Sequence, residues 1–394
     1  LQDVVIVSAV RTAIGDFGGQ FRNLISHQLA VPVIQEVLKR AGVDGGMVDD
    51  VILGNCAQRT DEPNVARTAA LVAGLPKEVT GMTIQRQCSS GMQAIVCGYQ
   101  QIVTGDSDIV LAGGVESMSN VPYVLKEARW GQRLQHGQLT DALWEMLTDP
   151  IHHILMGETA ERLADRYGIT RREQDEVALR SHLNAARARD TGVFDAEIVP
   201  VSVPQRKGAP RMVNRDEHPR ADVTMEQLAA LKPTFRRDGT VTAGNASGLN
   251  DGAAAVLLMS LDRARELGLK PLGRIVGFAR AGVEPDLMGY GPVPAIRKAL
   301  KRSGLTLGDI ELVELNEAFA AQYLACEKLL DLNREITNVN GSGVGLGHPV
   351  GCTGARLVVT LLYEMARRNL RYGLAALCVG GGMGMAMILE REKE

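Results

Sequence analysis

Two segments about 260 residues apart match one another without a gap, Ile34-Gln-Glu-Val-Leu-Lys-Arg-Ala-Gly-Val43 and Ile296-Arg-Lys-Ala-Leu-Lys-Arg-Ser-Gly-Leu305. In both, apolar residues at helical spacing run up to a glycine, the residue that most readily takes the left-handed turn ending a helix. A few small or polar residues then lead into an apolar run closed by asparagine, Val51-Ile-Leu-Gly-Asn55 and Leu312-Val-Glu-Leu-Asn316. Each unit reads as helix, stop, strand. The same offset brings Cys88-Ser-Ser-Gly91 beside Cys352-Thr-Gly354, each followed by an expected helix of about 13 residues. It also brings the strand Asp108-Ile-Val-Leu-Ala-Gly-Gly114 beside Leu374-Ala-Ala-Leu-Cys-Val-Gly-Gly381.

Helices alternating with continuous apolar strands call for sheets covered on both faces, so the expected fold class is α/β, built as two similar halves about a pseudo-twofold axis. The copies occupy 1–118, completed by 244–269, and 270–394. Between them, 119–243 is an insertion. It carries Trp130, Trp144, a helix from Gly157 to about Arg166, and a second helix opened by the capping box Thr170-Arg-Arg-Glu173 and ending near Gly192. A basic loop follows, with Arg206, Lys207, Arg211, Arg215 and Arg220. Such a run is a solvated surface that would also attract a phosphate-bearing ligand.

Composition narrows the function classes. A chain of 394 residues, 45% apolar, can bury a large core, and its net charge of −3 with mixed signs gives no reason to expect nucleic acid. No uncharged apolar stretch is long enough to span a membrane. Six cysteines without a CxxC pair predict reduced thiols and no metal centre. The start, Leu1-Gln-Asp-Val-Val-Ile-Val7, reads as a first strand rather than a secretion signal, so a cytoplasmic setting is expected.

The residues that could carry chemistry lie at element ends. Cys88 sits at a strand-to-helix corner, where unpaired N–H groups and the helix dipole favour a thiolate, although a cysteine considered alone is more often a small buried hydrophobe. His348 lies in Gly345-Leu-Gly-His-Pro349, a loop too glycine-rich for the interior of an element, where it could serve as a base. Cys378 ends a strand just before Gly380-Gly-Gly382, whose main-chain N–H groups could hold an oxyanion. Asn316 could cap a helix or orient a water. No GxGxxG and no phosphate-loop lysine accompanies these glycines, which argues against dinucleotide binding and nucleotide hydrolysis. Two thiols and an imidazole suit a reaction that forms a thioester on one sulfur and moves a proton at carbon with the other.

These residues resemble the thiolase family over essentially the whole chain. The motifs are Val7-Ser-Ala-Val-Arg-Thr-Ala-Ile-Gly15, the Cys88 corner, Gly113-Gly-Val-Glu-Ser-Met118, Gly244-Asn-Ala-Ser-Gly-Leu-Asn-Asp-Gly-Ala253, Asn316-Glu-Ala-Phe319, Gly347-His-Pro-Val-Gly351 and Cys378-Val-Gly-Gly-Gly-Met-Gly384. The resemblance implies a five-layered αβαβα core with an inserted loop domain, assembled as a homodimer or homotetramer. It implies that Cys88 takes the acyl group, that His348 activates it, and that Cys378 removes or returns the α-proton. Asn316 would hold a water opposite His348, and the N–H groups of Cys88 and Gly380 would form a second oxyanion hole. No permanently bound cofactor is implied. Coenzyme A thioesters would be substrates, with Arg220 near the nucleotide and Met156, Phe235, Ala243, Ser247, Ala318 and Phe319 along the pantetheine arm. Two positions depart from the short-chain biosynthetic pattern: Leu155 stands where histidine is common, and Gln227 where serine is common. The implied reaction joins two acetyl-CoA into acetoacetyl-CoA and CoA, or reverses it. The alternatives are a degradative 3-ketoacyl-CoA thiolase, a ketosynthase-like condensing enzyme acting on carrier-protein thioesters, and a non-catalytic acyl-CoA-binding subunit.

Overall fold

The computed structural model describes residues 2–392. Its principal elements in chain order are β1 (Val4–Thr12), α1 (Ser26–Ala41), β2 (Asp50–Gly54), α2 (Val65–Val72), β3 (Thr80–Ile84), α3 (Ser90–Thr104) and β4 (Ile109–Ser117). There follow α4 (Met156–Tyr167), α5 (Arg171–Asp190), β5 (Asn250–Ser260), β6 (Gly273–Gly282), α6 (Pro292–Ser303), β7 (Leu312–Leu315), α7 (Ala320–Leu330), α8 (Val350–Arg368), β8 (Tyr372–Val379) and β9 (Met383–Glu390). The predicted first strand, both helix-stop-strand units and the capping box at Thr170 and Glu173 are all present.

The strands follow one hydrogen-bonded path, β7-β8-β9-β6-β1-β5-β4-β2-β3. It is the duplication made visible. In the first half β5 runs antiparallel to β1 and β4, while β2 is parallel to β3 and β4. In the second, β9 runs antiparallel to β6 and β8, while β7 is parallel to β8. A parallel bridge from Val313 to Thr337 takes the place of the outermost strand. Among the described residues the halves join antiparallel at β1 and β6 through two residue pairs, Val5 with Arg274 and Ile6 with Gly273.

Alternation along each strand sends side chains to opposite faces, and the buried clusters separate accordingly. Val51 and Leu53 of β2 join Val33, Ile34 and Val37 of α1, whereas Ile52 joins Met92 and Ile95 of α3 and Leu357 and Leu361 of α8. That same central cluster takes Leu377 of β8, while Leu374, Ala376 and Cys378 face α6 and α7 with Ile296 and Tyr323. Five layers result: outer helices, sheet, the α3 and α8 pair, sheet, outer helices. From the inserted segment, α4 and α5 pack on α7. Among the described residues no helix is long and apolar enough to cross a membrane.

Two expectations need correction. The helix expected after Cys352-Thr-Gly354 already contains that motif: Cys352 is buried within the first turn of α8, and the helix has 19 residues rather than about 13. The stretch before His348 is not wholly irregular, since Gly343–Leu346 forms a helical turn.

The central helices approach closely because small residues line their first turns. A methyl group added at Gly91 would lie 2.9 Å from the Ala355 nitrogen, and one at Gly114 would lie 2.1 Å from the Gly351 carbonyl oxygen. Both obstacles are backbone atoms and cannot rotate away, and the second is much the closer. Gly114→Ala should therefore destabilise the protein by about 1–3 kcal/mol or more, read as a lower denaturation midpoint. An unchanged midpoint would refute the close-approach account.

Candidate active site

The site lies where the first turns of α3 and α8 meet the ends of β7 and β8. The chain enters α3 through Gln87, a non-glycine residue in the left-handed region with φ of 44°. That conformation costs about 1–3 kcal/mol and persists only when its surroundings hold it. Here the Gln87 carbonyl accepts the Ser90 N–H at 3.0 Å, the Ser90 hydroxyl at 2.6 Å and the Cys56 thiol at 3.0 Å. The resulting elbow sets Cys88 just ahead of α3. Its sulfur accepts the main-chain N–H groups of Gly380 and of Cys88 itself.

The helix start was expected to ease ionisation of Cys88. Instead burial, the largest influence, pushes its pKa up to about 11; the two N–H groups pull downward and Glu116 adds to the rise. A helix end contributes at most about 2 kcal/mol, which desolvation of a thiolate exceeds. The resting sulfur is therefore a thiol and needs a base.

His348 stands just ahead of α8. Its backbone N–H donates to Asn250 Oδ1 at 2.8 Å, and Asn250 Nδ2 donates in turn to the Gly15 carbonyl at 3.1 Å. The ring has Thr353 Oγ1 at 2.7 Å from Nδ1, and the Asn316 amide nitrogen at 3.4 Å from Nδ1 and 3.5 Å from Nε2. Burial and the positive charge of Arg356 push its pKa down to about 3, so the imidazole is neutral. Asn316 Oδ1 is buried without a hydrogen-bond partner among the described residues, as fits a group that awaits water or substrate.

Cys378 is fully buried one residue before the end of β8. Burial raises its pKa well above the ordinary thiol value, and the nearby Cys88 and Cys326 sulfurs raise it further. The two predicted thiols are thus electrostatic neighbours.

Glu116, which the sequence reading passed over within its motif, underlies the whole junction. Its carboxylate accepts Asn55 Nδ2 at 2.9 Å and the backbone N–H groups of Cys56, Ala57 and Gly351 at 3.0, 3.1 and 2.8 Å. It ties β2, β4 and α8 together. Burial still raises its pKa, against the pull of those donors. A glutamate inside an otherwise apolar strand was the available signal. Asn250 and Thr353 lay within or beside quoted motifs but carried no mark of contact with His348, and nothing local marks Gln87 as left-handed.

The expected coenzyme-binding residues fall into two groups. A methyl group at Gly380 would lie 3.5 Å from the Met156 sulfur and 3.8 Å from Gln87, placing Met156 against the Cys88 corner. Phe235 and Phe319 meet edge to face at 6.1 Å, and the Ser247 N–H donates to the Ala318 carbonyl at 2.9 Å. These five form one continuous wall. Ala243 and Arg220 are exposed. Arg220 acts on Asp16 and His182, beside His218, whose ring bonds Asp16 at 2.5 Å and the Val344 carbonyl at 3.1 Å. Gln227 caps a short turn through Thr224, and Leu155 precedes α4 as its N-cap.

Taken together, the arrangement supplies a half-buried thiol with two N–H groups beside it, a neutral imidazole next to an amide, and a second, fully buried thiol. It can form a thioester on sulfur, stabilise the oxyanion that precedes it, and move a proton at carbon.

Comparison with known proteins agrees with that chemistry. The family model for the thiolase N-terminal domain matches residues 4–262, and that for the thiolase C-terminal domain matches 269–391. An acetyl-CoA acetyltransferase of Pseudomonas aeruginosa is 50% identical over 393 residues, covering 100% of both chains. The crystal structure of the Bacillus anthracis acetyl-CoA acetyltransferase superposes with a TM-score of 0.98 at 62% identity, covering 99% of each chain. Human mitochondrial 3-ketoacyl-CoA thiolase in complex with CoA gives a TM-score of 0.95 at 43% identity, covering 99% of this chain and 98% of that one.

Proposed function

As a member of the thiolase family the chain is an acyltransferase, and we propose that it interconverts two acetyl-CoA with acetoacetyl-CoA and CoA through an acetyl group carried on Cys88. The observation that carries this reading is the Cys88 sulfur resting against the N–H groups of Gly380 and Cys88 while a neutral His348 stands at the start of α8.

In the first half-reaction the Cys88 thiol passes its proton to His348 as the sulfur attacks the thioester carbonyl. The Cys88 and Gly380 N–H groups hold the oxyanion; losing one such donor typically costs about 2.7–4 kcal/mol. CoA leaves with the proton that His348 returns. In the second, the neutral His348 takes the Cys378 thiol proton, and the Cys378 thiolate so formed takes an α-proton from another acetyl-CoA, the enolate oxygen facing the protonated ring and a water on Asn316. The new carbon attacks the acetyl carbonyl on Cys88, and His348 returns its proton to the departing Cys88 sulfur, leaving Cys378 a thiol again. The wall of Met156, Phe235, Ala318, Phe319 and Ser247 offers an apolar bed for the pantetheine arm, with Ala243 along it and Arg220 toward the phosphates.

Acetyl-CoA added to the protein should leave an acetyl group on Cys88, located by peptide mass spectrometry. An unmodified Cys88 peptide would sink this reading. Leu155 favours a second substrate range, longer 3-ketoacyl-CoA, because leucine beside Met156 enlarges the apolar surface near the acyl group. The ratio of kcat/KM values for acetoacetyl-CoA and a longer ketoacyl-CoA separates the two. Six free thiols suit a cytoplasmic setting. Exposed Trp130, Leu134, Leu139 and Ile151 support an oligomer, dimer or tetramer.

A further inference from the structure

A neutral imidazole carries one proton, and the nitrogen that holds it decides whether the ring can act as a base. Nδ1 of His348 faces its own helix, where Thr353 Oγ1 lies at 2.7 Å. That hydroxyl is also 3.0 Å from the Pro349 carbonyl oxygen, in a geometry that lets it donate back one turn of the helix. A threonine hydroxyl has a single hydrogen. Committed to Pro349, it leaves only lone pairs for the ring, so Nδ1 must be the donor and Nε2 the bare nitrogen.

Asn316 does not decide between the two nitrogens, because its amide nitrogen lies 3.4 Å from Nδ1 and 3.5 Å from Nε2; the Thr353 hydroxyl does. Thr353 is fully buried, so bulk water does not compete. The Pro349 carbonyl also takes the backbone N–H groups of Cys352 and Thr353, both at 2.9 Å. The rival arrangement, with the hydroxyl turned to Nδ1 and the proton on Nε2, is therefore the one to separate by experiment.

We propose that Thr353 is a positioning residue that holds His348 in the Nδ1–H tautomer and so keeps Nε2 free to take the Cys88 proton. The inference deepens the thioester-forming reading and rests on it. Forcing the wrong tautomer on a catalytic histidine can cost about 10⁴-fold in kcat.

The test uses the full chain with ¹⁵N-labelled histidine, the His348 signals being identified by their loss in His348→Asn. Wild type should show a protonated Nδ1, and Thr353→Val, of nearly equal shape, should move the proton toward Nε2. Thr353→Val should lower kcat by about 10²–10⁴-fold with KM for acetyl-CoA changed by less than about threefold, and Thr353→Ser should restore kcat. A wild-type ring protonated at Nε2, or a Thr353→Val enzyme with wild-type kcat, overturns the proposal. Should Thr353→Val fail to fold, the wild-type tautomer and the Thr353→Ser rate decide. If wild type does not acetylate Cys88, the thioester reading fails while the tautomer measurement still stands.

Discussion

Cys378→Ala should still acquire an acetyl group on Cys88 from acetyl-CoA, yet form acetoacetyl-CoA more slowly by on the order of 10²–10⁴-fold, the usual contribution of a positioned acid or base. The division follows from where each group sits. The Cys88 sulfur has its own two N–H donors, and among the described residues His348 and its partners Thr353, Asn250 and Asn316 make no hydrogen bond to Cys378 that the substitution would remove. Loss of one sulfur at the end of β8 leaves that machinery in place. What disappears is the group next to Cys88 able to exchange a proton with carbon. The same step is traversed in reverse by thiolysis, so both directions should fall by a similar factor. Peptide mass spectrometry of the acetylated protein, set beside the rate of acetoacetyl-CoA formation, gives the comparison. Loss of acetylation together with condensation, in a variant that still folds, would mean that the two sulfurs do not have separate tasks.

Much of this architecture could be read in advance because it is repeated. The match of Ile34 to Val43 with Ile296 to Leu305 implied two similar α/β halves, and the halves meet as β1 and β6. The apolar strands implied buried sheets, and Met385 and Met387 fill the core of the last one. Cys88, Cys378, His348 and Asn316 were visible as polar or reactive residues at element ends. Their energetics were not. The sign of the Cys88 shift depends on how completely the second half covers the first, a long-range property that outweighs the local helix field. Repeat alignment also misled at Cys352, because sequence similarity over three residues does not fix where a helix begins. Glu116 escaped notice since its four donors come from segments scattered between Asn55 and Gly351. The left-handed Gln87 depends on the hydroxyl of Ser90 and the distant thiol of Cys56 closing on its carbonyl.

The largest loss of stability is expected at Arg11. Its guanidinium is fully buried on β1, with Nε donating to Glu197 at 2.5 Å and the two terminal nitrogens gripping Asp216 at 2.8 and 3.0 Å. It also lies 4.8 Å from the centre of the Phe194 ring. All three partners belong to the inserted segment, so one side chain fastens that segment to the core. The charges respond in opposite senses. Burial works against the Arg11 cation, yet Asp216 and Glu197 hold its pKa above the ordinary value, whereas burial raises that of Glu197 because one of its oxygens has no partner among the described residues. Arg11→Ala strands both carboxylates and should cost about 3–5 kcal/mol, measured by denaturant unfolding. A stranded Glu197, whose pKa burial already raises, binds its proton more tightly in the folded than in the unfolded state, so the deficit should grow as pH rises above the ordinary carboxylate range and shrink on acidification. Adding Glu197→Gln and Asp216→Asn to Arg11→Met should recover most of the loss; no recovery would mean that the side chain acts through volume alone. Asp216 lies two residues before His218 and four before Arg220, so the single variant should also raise KM for acetyl-CoA more than it lowers kcat.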